Sequence, residues 1–164
     1  MNNIYTFLKT NNINYKRFDH PAAFTCEQAD AVCPTMPGAS IKNLFLYDKR
    51  TDHHFLVVVG KEKQVDLKEL KKLLDVSNLS FASEERLHKY LGVTPGSVTV
   101  LGLINDVMNF VTVIFDAQLE NQALQCHPLI NTATLVIPFD DIKKFLTITH
   151  HEYQCLNIPE RNES

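Results

Sequence analysis

The chain has 164 residues, 45% hydrophobic and 21% charged, with a formal net charge of −3 and a pI near 6.1. That length suits one domain with a proper core, and the acidic balance excludes a protein that coats long nucleic acid, so any nucleic-acid contact should be small and local. The opening M-N-N-I-Y-T-F-L-K has neither a basic region nor a long apolar run, and no apolar segment reaches membrane-spanning length. These features predict no signal peptide, no membrane partner and a cytoplasmic location.

Ile4, Phe7 and Leu8, at i, i+3 and i+4, predict a short amphipathic helix ending near Asn11, and 14–18 reads as a strand. His20 precedes Pro21 and is a pocket candidate, although a histidine in a turn is the commoner outcome. Thr25 with Gln28 forms a capping box for a helix to about Val32, and 33–40 is a loop marked by two prolines and a glycine. The run I-K-N-L-F-L-Y-D at 41–48 reads as a strand with apolar residues on both faces. Lys42 near its start either snorkels to the rim, the commoner fate, or points into a cavity. F-L-V-V-V at 55–59 is a second buried strand, and the two make a hairpin. Asp66 with Glu69 opens an amphipathic helix bearing Leu67, Leu70 and Leu74 on one face. Its Lys68, Lys71 and Lys72 fall mostly on the other, a solvated face or a phosphate contact.

Ser83 caps a helix through Leu87, Tyr90 and Leu91, which Gly92 ends. T-P-G-S at 94–97, containing Gly96 and Ser97, is a turn. Residues 98–104 read as a strand interrupted at Gly102, where a bulge or a closely approaching ligand would fit. A strand at 110–116, a short helix near 117–121, a strand at 135–137 and a helix carrying Ile142, Phe145 and Leu146 follow. Residues 1–158 are expected to form a single domain and 159–164 a disordered tail. Strands occur in adjacent pairs as well as between helices. This predicts a mixed α/β fold whose central, largely antiparallel sheet is barrel-like, with helices packed around it.

Polar groups crowd together at 126–134, C-H-P-L-I-N-T-A-T, between apolar flanks. Pro128 pushes His127 towards an extended backbone, and Asn131, Thr132 and Thr134 supply amide and hydroxyl groups, as a satisfied turn or as a pocket wall. Cys26, Cys33, Cys126 and Cys155 lack the C-x2-C spacing of a zinc site, and a disulfide framework is not expected in this setting. They read as free thiols, with Cys126 a candidate pocket residue, and no metal or other cofactor is expected. The pairs His53-His54 and His150-His151 make poor chelates and read as surface or loop histidines.

Taken in order, I-K-N-L-F-L-Y-D, V-D-L-K-E-L, L-S-F-A-S-E-E-R-L, L-G-V-T-P-G-S-V-T-V-L-G-L-I-N-D and H-P-L-I-N-T-A-T resemble the YbaK/prolyl-tRNA synthetase-associated editing domain family, over about residues 19–151. The resemblance implies a mixed α/β fold and, as in the free-standing deacylases of that family, hydrolysis in trans of alanine mischarged onto proline tRNA. By the same resemblance, Lys42 and His127 are the expected catalytic residues. Substrate contacts would come from Asn43, Ser83, Gly96, Ser97, Gly102, Asn131 and Thr132. Cys126 and His20 are further pocket candidates. The family often reads V-T-P-F-G-L where this chain has V-T-V-L-G-L, so Val100 and Leu101 alter the pocket's shape.

The implied chemistry is simple, because an aminoacyl ester is already activated. The protein must place water or the vicinal ribose hydroxyl against the carbonyl and stabilise the oxyanion. Lys42 would hold the terminal phosphate or ribose, or offset developing charge. A Cys126 acyl-enzyme is the rival within the site, disfavoured because no adjacent base is evident. A pocket sized for alanine excludes proline sterically. The partner would be the acceptor end of tRNA(Pro) carrying a small amino acid, with prolyl-tRNA synthetase or an elongation factor holding the remainder. Two alternatives stay open: a deacylase for cysteine or another small residue, and a tRNA- or synthetase-binding module without turnover.

Overall fold

The computed structural model describes residues 3–22 and 36–161. The expected capping-box helix from Thr25, together with Cys26 and Cys33, lies outside them. Helix α1 (Ile4–Thr10) is capped by Asn3, whose side chain accepts from the backbone of Tyr5 and Thr6. Strand β1 (Lys16–Asp19) comes next, and β2 (Ile41–Asp48) and β3 (His53–Gly60) form the expected hairpin. Asp66 caps α2 (Leu67–Leu73), and β4 (Ser80–Phe81) precedes Ser83, which caps the short α3 (Glu84–Arg86). The helix continues as a π-turn, Leu87–Leu91, until Gly92 at φ +66° stops it. Strands β5 (Val111–Asp116), β6 (Ala123–Cys126) and β7 (Ala133–Pro138) follow, then α4 (Phe139–Thr149) and β8 (Tyr153–Leu156).

The strands form a three-stranded sheet, β1-β7-β6, and a five-stranded sheet, β4-β2-β3-β5-β8. All pairings are antiparallel except β3 with β5 and β5 with β8. The fold is therefore the expected mixed α/β, but the sheet is divided, its parts meeting at the parallel Ala39–Leu124 bridge. The larger apolar cluster lies between them, with Ile41, Phe45, Leu56, Val58 and Val113 from one sheet and Leu124, Leu135 and Ile137 from the other. A second cluster holds Leu46, Phe55, Val57 and Val59 beneath Leu70 of α2. Alternate residues of β3 feed opposite clusters, which is why F-L-V-V-V is apolar without interruption. Each such side chain contributes about 1.5–3 kcal/mol through burial.

Several expectations need correction. Residues 98–104 are not a strand: Pro95–Ser97 and Val100–Asn105 are 3-10 turns, and Val100, Leu101, Leu103 and Ile104 are all buried. An apolar run covered on every side carries no period that separates strand from helix. Gly102 sits in a 3-10 turn rather than at a bulge, and it allows a close backbone approach: a Cβ there would stand 2.9 Å from the Leu91 carbonyl oxygen and 3.0 Å from Leu91 Cβ. That carbonyl is fixed by the Asn105 side-chain amide at 2.9 Å. Strands β6 and β8 were not foreseen.

Only one histidine of each adjacent pair is exposed. His54 accepts from Arg86 at 2.9 Å, and His151 bonds Asp106 at 2.9 Å, both rings being buried. The tail also departs from expectation at its start. Glu160 bridges Val65, and the Arg161 amide donates to the Gln64 carbonyl at 2.8 Å, while residues beyond 161 lie outside those described.

Gly102→Ala is accordingly expected to lose about 1–3 kcal/mol of stability through overpacking. Urea unfolding checks this, and an unchanged midpoint would contradict the packing account.

Candidate active site

The geometry of the small sheet creates the site. β1 and β6 both run antiparallel to β7, so both finish at the end where β7 begins. His20 directly follows β1 and His127 directly follows β6, so the two rings flank that point, centroids 6.5 Å apart and edge-on. The His20 amide donates to the Thr132 carbonyl at 3.0 Å, tying the end of β1 to the β6–β7 loop. Pro128 is buried and Leu129 adopts φ +72°, so this loop turns sharply beneath Asn131 and Thr132.

Partners fix the tautomers. A carbonyl oxygen only accepts, so Nδ1 of His20 donates to Pro21 at 2.8 Å and its Nε2 accepts from the Thr134 hydroxyl at 2.8 Å. Nδ1 of His127 donates to the Ala133 carbonyl at 3.3 Å. In the neutral ring this leaves Nε2 as an acceptor, with no hydrogen-bond partner among the described residues. Burial lowers the His127 pKa below its ordinary value; the Ala133 hydrogen bond opposes that shift, and neighbouring His20 adds slightly to it. Thr134, noted in the sequence only as a hydroxyl of the polar stretch, is the residue that orients His20.

Asn43 lies on the other sheet, just past the bridge that links the two. The Ala39–Leu124 bridge is parallel, so β2 and β6 leave it in one direction, with Asn43 four residues on and His127 three. Asn43 alternates with Ile41 and Phe45 towards the cluster between the sheets. Its Oδ1 is buried without a donor among the described residues, an unusual and costly state that a ligand's N–H or O–H would relieve.

Lys42 does not join them. The pleat sends it to the opposite face of β2, with Leu44, where it lines a groove with Gln64, Leu67, Phe81 and Arg161. Cys126 is 1% exposed and faces the core. Burial pushes its thiol up to about 12, so it is protonated at neutral pH. Ser83 is an exposed helix cap whose Oγ accepts from the Arg86 amide at 3.3 Å. Gly96 and the buried Ser97 occupy the 3-10 turn before Thr99, without a hydrogen bond to either site histidine among the described residues. The structure thus brings together His20, His127 and Thr132, with Asn131 in the same loop, while Asn43 stands on the neighbouring sheet beyond the Ala39–Leu124 bridge. It assigns Ser83 and Gly102 to structural contacts and Lys42 to a separate face. Arg161 was missed because it falls within the expected tail, and Phe81 because an aromatic in a short apolar run reads as core. Among the described residues no group of three or more His, Cys, Asp or Glu is arranged to hold a metal ion, and no helix is long and apolar enough to cross a membrane.

Residues 20–145 match the model of the aminoacyl-tRNA editing domain. The chain is 35% identical over 147 residues to the prolyl-tRNA editing protein ProX of Acetoanaerobium sticklandii, covering 89% of this chain and 90% of that one. It is 37% identical over 148 residues to the prolyl-tRNA synthetase associated domain-containing protein 1 of Danio rerio, covering 88% and 80%. Among solved structures, one described as a candidate trans-editing enzyme for prolyl-tRNA synthetase superposes with a TM-score of 0.72 at 17% identity, covering 98% of this chain and 96% of that one. The likeness of that structure bears on the fold, and the family follows from the span of the matched model and from the identity and coverage of the relatives: this chain belongs to the aminoacyl-tRNA editing domain family.

Proposed function

We propose that this protein is a trans-acting aminoacyl-tRNA deacylase that hydrolyses the ester of alanine mischarged onto tRNA(Pro) and rejects proline by size. The observation that carries the reading is the His20–His127 pair at the strand ends, rings 6.5 Å apart, on a fold that also buries an unsatisfied Asn43 carbonyl. The similarity to a protein named for prolyl-tRNA editing supplies the tRNA. Asn43 Oδ1 suits the α-ammonium of the aminoacyl group, a charged donor for a buried acceptor. Nε2 of His127 suits the attacking water or the vicinal ribose hydroxyl, accepting its hydrogen as the oxygen approaches the carbonyl. The ester needs no covalent intermediate, and a core thiol held protonated is a poor nucleophile, which favours direct attack over a Cys126 acyl-enzyme. On the far face of β2, Lys42 is suited to holding phosphate rather than polarising the carbonyl. Discrimination would be by size, a pocket that accepts the methyl side chain of alanine rejecting the larger pyrrolidine ring by overlap.

Single-turnover deacylation of alanine-, cysteine- and proline-charged tRNA(Pro) tests this. Fast loss of alanine with proline spared is the expected result, and Asn43→Ala should slow it about 10- to 100-fold through loss of a charge-assisted contact. A preference for cysteine would keep the reaction and change the substrate. Turnover of none of the three would overturn the reading.

The pH dependence follows from the direction of the His127 shift. Its folded pKa lies below the ordinary 6.5, so the neutral ring prevails above that value and is lost as pH falls through the folded pKa. After subtraction of the uncatalysed rate, the acid limb of deacylation should have its midpoint below 6.5 and disappear in His127→Gln. A midpoint above 6.5 would contradict the assigned role.

A further inference from the structure

The groove on the Lys42 face of β2 combines three features that the His20–His127 site does not use. It has a volume of about 260 Å³ and no acidic side chain in its lining among the described residues. Lys42 has no ion pair or hydrogen bond among the described residues. The Arg161 guanidinium is steadied at 3.2 Å by the neutral Gln64 amide oxygen and makes no ion pair among the described residues. Phe81 lines the same groove, 60% exposed on a two-residue edge strand where burial would be the norm for a ring. Two cations without an ion pair among the described residues, in one groove with an exposed aromatic ring on a chain of net charge −3, are complementary to a phosphate chain with bases free to stack.

Strand pairing connects this groove to the site. One edge of β2 follows β3 throughout. The other edge pairs with β4 at Leu46 and Tyr47 and meets β6 through Ala39. Lys42 and Asn43 fall in the interval between these pairings. They are consecutive, so a chain crossing β2 there would have its phosphates on one face and its esterified terminus on the other.

We propose that this groove binds the single-stranded 3′ segment of the RNA carrying the aminoacyl ester, Lys42 and Arg161 each holding a phosphate and Phe81 stacking on a base. The assignment rests on the deacylase reading above. It makes Phe81 and Arg161 determinants of substrate affinity and explains how a protein of negative net charge grips RNA locally.

Fluorescence anisotropy with an uncharged hairpin RNA bearing a four-nucleotide 3′ overhang tests the groove without requiring turnover, with the blunt hairpin as reference. The overhang should tighten binding. Phe81→Ala should weaken it roughly fivefold to 150-fold, the range for loss of one stacked base, and Phe81→Trp should restore it. Arg161→Gln should reduce the slope of log Kd against log salt by about 0.7, the value for one single-strand phosphate contact. Lys143→Gln, a charge change on α4 beside Asp140, should alter neither quantity. Equal affinity for blunt and overhanging hairpins, or wild-type binding in both Phe81→Ala and Arg161→Gln, would overturn the groove even if deacylation is robust. Overhang-dependent binding lost in both variants, from a wild type that deacylates nothing, would retain the RNA track and overturn the deacylase reading instead.

Discussion

The pleat of β2 imposes the constraint on which the rest of the molecule depends. Its residues alternate between two apolar clusters, Ile41 and Phe45 entering one and Leu44 and Leu46 packing against the other. A slip of one residue would turn every side chain to the wrong cluster, so the register is held by both cores at once. The same alternation separates Lys42 from Asn43. Whatever a lysine–asparagine pair does at this position, it acts on two faces of one strand, and a substrate that touches both residues must pass the strand's edge.

Buried polar links fasten the remaining elements to this frame. Lys63 pairs with Asp116 at 2.6 Å, with side chains 10% and 2% exposed, joining the segment after β3 to the end of β5. Breaking such a pair by truncating one partner typically loses about 3–5 kcal/mol. Asp106 accepts from the amides of Phe110 and Val111 as well as from His151, so a single carboxylate starts β5 and anchors the chain leaving α4. Arg86 bonds Asp52 at 2.9 Å, donates to His54 and lies 4.1 Å above the Tyr47 ring, fixing α3 on the β2–β3 hairpin. With the scaffold fastened in this way, the site histidines sit at strand ends rather than on free loops, and preorganised acceptors are what ester hydrolysis needs.

The sequence revealed most of this where pattern and packing agree. The β2–β3 hairpin, the Asp66 and Ser83 caps, the stop at Gly92 and the polar loop after β6 follow from local chemistry that tertiary contacts leave alone. Legibility failed where burial erased the period, as in the 3-10 run around Gly102, whose glycine lets the Leu91 carbonyl approach closely. It also failed at His54 and His151, because a neighbour in sequence says nothing about the Arg86 and Asp106 partners that make burial tolerable. Of the candidate site, His20, His127 and Asn43 were readable as residues, but the meeting of the sheets that carry them depends on the bridge between Ala39 and Leu124, a contact across 85 residues that no local pattern records.

The proposed division of the substrate by β2 is tested most directly by NMR with ligands that carry one part of it at a time. A non-hydrolysable 3′-alanylamino-3′-deoxyadenosine, which lacks the 5′ chain, should shift the Asn43 side-chain amide and the His127 ring and leave Phe81 and Arg161 unmoved. Extending it with nucleotides on the 5′ side should then add shifts at Phe81 and Arg161. If the short alanyl compound instead shifts Phe81 and Arg161 while Asn43 and His127 stay still, the amino acid binds on the Lys42 face and the account is wrong.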